Sequence, residues 1–413
     1  MKNISLDTNY KIVVVGGGMV GATFAIALIK ALGEDCPKIL VVEAAETLTQ
    51  KKYAPSFDAR STALSFGSRK ILEETGIWSD LNKIVTPIDK IHISDKGRFG
   101  TTLLSSEEQN LDALGYVVEN TDLGSILNYQ LESASAIDFL SPAKIEEVRP
   151  KKSCMSLSIA HKDESYSIEA SLVVLADGGR SPICQQLGIQ QFQKYYKQHA
   201  IIANVSLERP HKNIAFERFT ENGPFAMLPL ENFCDQNRCS MVCVVDDHET
   251  KEIMGMTEES ILLNLQERFG NRLGKIIHIG ERYDFPLTLS IAKEQIRPGL
   301  VLLGNVAHTL HPVAGQGMNL ALRDIRVLVD CLSQGIKKQI NPGDMTLLQE
   351  FVDEQFSDHR KVIGFTDNLV ELFSSNKVPN VILRKLGLLS LELFPALRKS
   401  FAKEAMGLAT AEN

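Results

Sequence analysis

Three short stretches of this chain place glycines and one carboxylate or amide directly after an apolar run. In the first, the β-branched run Lys11–Val15 leads into Gly16-Gly17-Gly18-Met19-Val20-Gly21. Gly16, Gly18 and Gly21 fit G-x-G-x-x-G: one allows a tight turn, one lets backbone approach a pyrophosphate, and one lets helix and strand pack closely. A second apolar run, Ile39–Val42, ends in Glu43, about 20 residues beyond the last glycine, where an acid binds the hydroxyls of a ribose. In the second stretch Leu172–Ala176 runs into Asp177-Gly178-Gly179-Arg180-Ser181-Pro182, again an acid at a strand end followed by paired glycines. In the third, Leu300–Leu303 leads through Gly304 and Asn305 into a polar loop carrying His308, His311, Pro312, Gly315, Gln316 and Gly317, and a helical pattern starts near Met318 and Asn319. A helix N-terminus there presents free N–H groups and a positive dipole end, suited to a pyrophosphate or to the electron-rich edge of a reduced ring. The residues predict a dinucleotide site but leave the dinucleotide open.

Two histidines and an arginine complete the candidates. His308 and His311 have the right ordinary pKa for acid–base work, although a structural hydrogen-bonding role is the plainer expectation for each. Arg60, within FDARSTALS (57–65), can reach a phosphate or ribose; pairing with Asp58 is its alternative. The seven cysteines are scattered, without a CxxC pair or metal-ligand spacing, so no metal site is expected and a reducing cytoplasm is the natural compartment.

The elements that must position these residues follow from patterning. The predicted strands Lys11–Val15, Ile39–Val42, Leu172–Ala176 and Leu300–Leu303 are continuous apolar runs, as expected for a buried parallel sheet. Helices are predicted over Val20–Leu32, Gly67–Thr75, Thr121–Ser133, Glu258–Phe269, Asn319–Leu332 and Asp344–Phe373. Residues 57–65 are expected as a polar loop, and the strands of 88–170, including a hairpin Ser156–Ala160/Ser167–Ala170, are expected to join the nucleotide-binding sheet. From Gln198 to Leu289 the alternating runs Ile201–Leu207, Phe216–Thr220, Phe225–Leu230 and Ser240–Val245 predict an antiparallel sheet with one covered face, a lobe without phosphate-loop signature. Glu281–Leu287 is expected to return the chain to the first domain. The predicted organisation is α/β: a Rossmann-like dinucleotide domain from 1–195 and 281–340, an antiparallel substrate domain over 196–280, and C-terminal helices over 341–413.

Composition bounds the partners. With 413 residues, 44% apolar, 23% charged and a net charge of -7, the chain is that of a globular protein without general nucleic-acid affinity. Ile12–Ile29 carries no charge, but its glycines favour strand, turn and helix over a membrane span. From Pro379 an apolar helical segment is flanked by Arg384, Lys385, Arg398, Lys399 and Lys403, a pattern compatible with docking on its own domain or with an anionic membrane surface.

The ordered set GGGMVG…E, ADGGRSP and LLGNVAHTLHPVAGQGMN resembles the single-component FAD-dependent aromatic hydroxylases over the whole chain. FDARSTALS, GPFAMLPL (223–230), FTDNLVELFSSN and the AMG near the end narrow the resemblance to the ubiquinone-biosynthesis hydroxylases, in particular the branch acting on 2-octaprenyl-6-methoxyphenol. That resemblance implies FAD, with Gly16, Gly18 and Gly21 at its pyrophosphate, Glu43 at the adenosine ribose and Arg60 along the cofactor. It implies Asp177 and Gly178 near the pyrophosphate and the NAD(P)H track, Asn305 at the ribityl chain, and the loop from Pro312 through Gly315, Gln316, Gly317 and Met318 to Asn319 around the isoalloxazine. It also implies transient reduction by NAD(P)H, hydroxylation of a polyprenyl phenol by O2 through a flavin C4a-hydroperoxide, partner proteins of a biosynthetic complex, and a place in the cytoplasm, peripheral to the inner membrane. Two positions depart from the superfamily: Asn305 replaces an aspartate, and Cys184 stands where D-G-x-x-S-x-x-R would place arginine. Alternatives are another flavoenzyme of the same fold (a polyprenyl reductase or epoxidase) or a catalytically silent, flavin-bound scaffold. A chain whose one tryptophan is Trp78 cannot carry the W-x-W-x-I-P segment of tryptophan halogenases.

Overall fold

The computed structural model describes residues 7–46, 60–97, 101–221, 223–312, 315–374 and 394–406. The run before the first glycine cluster forms strand Asn9–Val15, the middle of a parallel sheet. Ile39–Val42 and then Ile137–Leu140 lie on one side of it; Glu164–Leu175 and then Leu300–Leu302 lie on the other. The strands are apolar throughout because both faces are covered. Ile12 and Val14 pack with Phe24, Leu127 and Leu322 from the helices Met19–Leu32, Asn120–Ser133 and Gln316–Lys337. Val13 and Val15 pack with Ile145, Leu157 and Ile159 from an antiparallel layer that the hairpin Met155–His161/Glu164–Leu175 brings onto the other face. Each such fully buried Val, Leu or Ile contributes roughly 1.5–3 kcal/mol, so the sheet is the most firmly determined part of the molecule.

Register sets up the site. Val15 pairs with Val42 and with Leu175, and Leu175 pairs with Leu302. Four parallel strands therefore end at one level, and Gly16, Glu43, Asp177 and Gly304 emerge along a single carboxyl edge, where open α/β sheets bind ligands.

A second, largely antiparallel sheet is centred on Gln191–Leu207, flanked by Tyr283–Ala292 and Gln236–Asp246. Beyond these lie Gly223–Phe233, Ile214–Thr220, Lys90–Asp95 and Thr101–Ser105. Three expectations change here. Lys90–Asp95 joins this sheet rather than the nucleotide-binding one, pairing in parallel with Ile214–Thr220, and Tyr283–Ala292 extends it before the chain returns. Residues 196–280 thus hold only part of it. Both faces are also apolar: Phe216, Phe225, Met227 and Met241 pack against Ile261, Leu265 and Phe269 of the helix Glu258–Phe269, while the opposite face lines a cavity.

Within the polar 57–65 segment, Ser61–Ser65 is a strand, not a loop, paired with Gly115–Glu119, which also takes up Thr86–Ile88. The partner strand satisfies its backbone, and its paired residues lie 50 (Ser65 with Gly115) to 58 (Ser61 with Glu119) positions away in the chain. Phe57, Asp58 and Ala59 lie outside the described residues. Helix Met345–Ser374 packs Leu348 and Phe351 into the core beneath Gln316–Lys337. The helix Pro395–Ala405 follows, with Ala402 buried against Leu104 and Phe219. Most of the basic, apolar segment starting at Pro379 lies outside the described residues. Among those described, no helix is long and apolar enough to cross a membrane, and Ile12–Ile29 is divided between strand and helix.

Candidate functional site

At the first corner Gly16 has φ 100°, and a Cβ there would sit 2.5 Å from the Ala176 carbonyl oxygen. A Cβ on Gly21 would sit 1.9 Å from the Gly16 carbonyl oxygen. The first and third glycines are therefore required by backbone contact alone. Gly18 is the N-cap of helix Met19–Leu32, and no side chain caps that end. Glu43 is held at the tip of its strand: its carboxylate accepts from Gly17 N–H at 2.7 Å and Ala45 N–H at 2.8 Å. Arg60 lies with its guanidinium 4.7 Å from the centre of the Phe285 ring, which ties the start of strand Ser61–Ser65 to the second sheet beside the cavity.

Asp177 carries the clearest mark of a binding group. Its Oδ1 is buried with no hydrogen-bond partner among the described residues. Loss of solvent is the main reason its pKa rises to about 6; a hydrogen bond from Ser181 works against that and the charge of Glu43 adds to it. A buried acceptor without a donor costs roughly 1–3 kcal/mol, which a ligand donor would relieve. Beside it Gly178 has φ 90° and open space where a Cβ would point. Cys184 sits behind this corner, buried in helix Pro182–Gln186, which Ser181 caps by accepting Cys184 N–H at 3.2 Å. Burial raises its thiol pKa, so it is a packed neutral group.

The third corner is built from the other side. Gly304 (φ 72°) lies so close to Val20 that a Cβ would meet Val20 Cγ2 at 2.9 Å. Asn305 follows in a short turn and lines the cavity, with Pro312, Gly315, Gln316, Gly317 and Met318. Val313 and Ala314 lie outside the described residues. Gly315, in the left-handed region at φ 59°, is the N-cap of helix Gln316–Lys337, and no side chain caps that end. Asn319 has a different task. Its Oδ1 accepts from Ser65 N–H at 2.8 Å and Ser68 Oγ at 2.7 Å, and its Nδ2 donates to Ala63 O at 3.0 Å and Gly315 O at 2.7 Å. All four of its hydrogen-bonding positions are used, and they fasten the loop to strand Ser61–Ser65.

The two histidines separate. His308 does not line the cavity: it is buried, with Nε2 2.7 Å from Asp324 Oδ2. Asp324 Oδ1 takes His359 at 2.7 Å, so the pair joins the loop to helix Met345–Ser374. Burial alone would raise the Asp324 carboxyl, but the two imidazoles pull it below its ordinary value. His311 does line the cavity, stacked edge-on at 5.2 Å from the Tyr196 ring, and desolvation lowers its pKa to about 4. At neutral pH it is an uncharged imidazole.

The three corners open into one cavity of about 1200 Å³ that runs from the carboxyl edge of the parallel sheet to the inner face of the second sheet. Cross-strand register places Ile93, Glu217, Ala226, Val242 and Ile202 in one row across that face. Phe365, Leu397 and Phe401 close the far side. Glu217 is a residue that sequence reasoning missed. Phe216-Glu217-Arg218-Phe219 reads as a half-covered strand with its acid in water, and only the second buried face turns that acid inward. Desolvation alone pushes its pKa up to about 7.

An extended, glycine-cradled groove leading to an uncapped helix N-terminus fits a flavin dinucleotide, and the unpartnered Asp177 oxygen fits its hydroxyl-bearing chain. The family model for the FAD binding domain matches residues 9–355. Ubiquinone hydroxylase UbiL of Rhodospirillum rubrum is 32% identical over 403 residues, covering 98% of this chain and 91% of the relative. The 3-demethoxyubiquinol 3-hydroxylase of Escherichia coli is 28% identical over 399 residues, covering 96% and 98%. In fold, the p-nitrophenol 4-monooxygenase PnpA of Pseudomonas putida superposes with a TM-score of 0.78 at 17% identity, covering 97% of this chain and 99% of that one. The glycine corners, the flavin-shaped groove and these likenesses agree: the chain is an FAD-dependent aromatic monooxygenase and belongs to the ubiquinone-biosynthesis hydroxylase family.

Proposed function

We propose that this enzyme hydroxylates the ring of a polyprenyl phenol, with 2-octaprenyl-6-methoxyphenol as the substrate and NAD(P)H and O2 as co-substrates. The observation that carries this reading is the apolar cavity that continues from the glycine corners between the two sheets, whose central row of aliphatic side chains is interrupted by Glu217. Such walls take up a methoxyphenol and the first isoprene units and exclude water from the reacting ring.

Bound FAD supplies the activation of O2 once reduced. The chain's own residues do the rest. Gly16, Gly18 and Gly21 would let backbone N–H groups meet the pyrophosphate, and Glu43 and Asp177 would accept from hydroxyls of the cofactor. Asn305 would donate through its amide to the ribityl chain, a bond that needs no negative charge. The N–H groups of Gly315 to Met318, at the positive end of a 22-residue helix, would stabilise negative charge on the reduced ring. His311, neutral at working pH, supplies a hydrogen bond rather than a charge. A phenol is most reactive ortho and para to its oxygen, so attack para to the hydroxyl fits a ring already substituted at both ortho positions. The basic segment beyond Pro379 would bring the membrane-held substrate or partner proteins of the same biosynthesis to the cavity.

The test is mass spectrometry of quinone intermediates in a strain lacking this protein. A prenyl-methoxyphenol should accumulate, and disappear when the chain is restored. Accumulation of a later, already hydroxylated intermediate would replace the proposed substrate with another ring of the same pathway.

A further inference from the structure

Glu217 lies in the middle of the cavity wall, and nothing in the parts of the site described so far uses it. Its row neighbours are aliphatic on both sides: Ile93 on strand Lys90–Asp95 and Ala226 on Gly223–Phe233, with Val242 and Ile202 beyond. The rows above and below by register are Asp95, Phe219, Pro224 and Val244, in which Asp95 is a buried carboxyl, then Ile91, Ala215 and Leu228. Across the cavity, the helices contribute Phe365, Leu397, Ser400 and Phe401. Arg218 and His92 alternate to the opposite face of the sheet, where His92 meets Phe216. Among the described cavity-lining residues, the other ionisable groups are His311, Arg60 over the Phe285 ring of the second sheet, and Glu43, Asp177 and Lys144, the last next to Ala143, whose N–H donates to the Glu43 carbonyl. A carboxyl in such a wall is costly unless something in the cavity pairs with it.

We infer that Glu217 is a catalytic residue that accepts the hydrogen of the substrate's phenol hydroxyl. This rests on the phenol reading proposed above. The bond that breaks is the phenol O–H; the proton goes to a Glu217 carboxylate oxygen, and the electron pair stays on the phenol oxygen, enriching the ring at the carbon para to it. No oxidant or reductant enters this step. Geometry also gives Glu217 a second effect: a hydroxyl fixed to one point of an otherwise aliphatic wall orients the ring and sends the prenyl tail along that wall. The carboxyl titrates near neutrality, about 7, through burial, so a base in that range is half-formed where the enzyme works.

The test uses the flavin-loaded enzyme with a short-tailed 2-prenyl-6-methoxyphenol and its O-methyl ether. In wild type, kcat/KM should rise with pH through an apparent pKa near 7, and calorimetry should show the phenol binding at least about tenfold tighter than the ether. Glu217→Gln, of the same shape, should lower kcat/KM roughly 100-fold, flatten that rise and remove the preference for the phenol. Glu217→Asp, which keeps the acid but withdraws it, should retain the pH-dependent rise at a reduced rate. If Glu217→Gln binds FAD and keeps both the rise and the phenol preference, the inference is overturned. The two proposals fail separately. Wild type that prefers the phenol through Glu217 yet forms no hydroxylated product keeps Glu217 as the acceptor of the phenol hydrogen and sinks the hydroxylation. Product formed equally by wild type and Glu217→Gln does the reverse.

Discussion

Glu217 and Asp177 show how a single residue here is set by what surrounds it. Both carboxyls are raised, to about 7 and about 6, and desolvation is the leading cause in each. The sign of the consequence follows directly. A group that holds its proton more tightly when folded contributes stability that is fully present below its unfolded pKa and lost as pH rises through the folded one. For Glu217 the window runs from about 4.5 to about 7, a difference of roughly 3 kcal/mol. Urea denaturation should therefore show wild type losing stability between pH 5 and pH 8. Glu217→Gln should remove up to about 3 kcal/mol of that loss and be the more stable protein at pH 8. Equal pH dependence in the two would mean that the carboxyl is not buried as described. The glycines belong to the same scale. Gly21 was legible as a motif position, and the reason for it, a Cβ 1.9 Å from the Gly16 carbonyl oxygen, is a local contact between turn and helix.

At the scale of elements, the helix Gln316–Lys337 depends on a strand that looked like a loop. Ser61–Ser65 is polar, and local pattern gives no alternation strong enough to mark it; its pairing with Gly115–Glu119 and its bonds to Asn319 make it a strand. Asn319 thus positions the helix end that lines the cavity. Asn319→Ala would leave the Ser65 N–H and the Ala63 carbonyl unsatisfied, at roughly 1–3 kcal/mol each. The expected outcome is a fall in stability of about 2–4 kcal/mol together with weaker FAD retention, read by denaturation and by flavin absorbance after gel filtration. Stability falling with FAD affinity intact would separate the strand from the cofactor loop. His308 follows the same logic: the loop sequence offered it as a base, but Asp324, from the next helix, holds it behind the cavity.

At the scale of the whole molecule, the cavity exists because two sheets and a terminal helix meet around it. Phe401, on the helix Pro395–Ala405, packs 6.0 Å from Phe365 and forms part of the wall, while Arg398 pairs with Glu108 at 2.9 Å and pins the same helix. A surface ion pair of that kind is worth about 1 kcal/mol at most, so the aromatic wall does the sealing. Phe401→Ala should admit water beside the reacting ring. Hydroxylated product per NAD(P)H consumed should fall several-fold, with hydrogen peroxide making up the difference and FAD content unchanged. An unaltered product ratio would show that the terminal helix is not part of the seal.

The amino-acid sequence by itself determined the parallel sheet and its glycine corners. Those depend on contiguous apolar runs and on glycines at fixed spacing, and both are local properties that fully buried parallel strands impose on the chain. It did not determine the second buried face of the antiparallel sheet, the pairing of Ser61–Ser65 or the inward turn of Glu217. Those depend on which distant segment covers which face, because the same alternating strand serves equally well with one side in water. Only when Lys90–Asp95 joins that sheet and the terminal helix closes over it does an ordinary surface acid become an ionisable group inside the cavity.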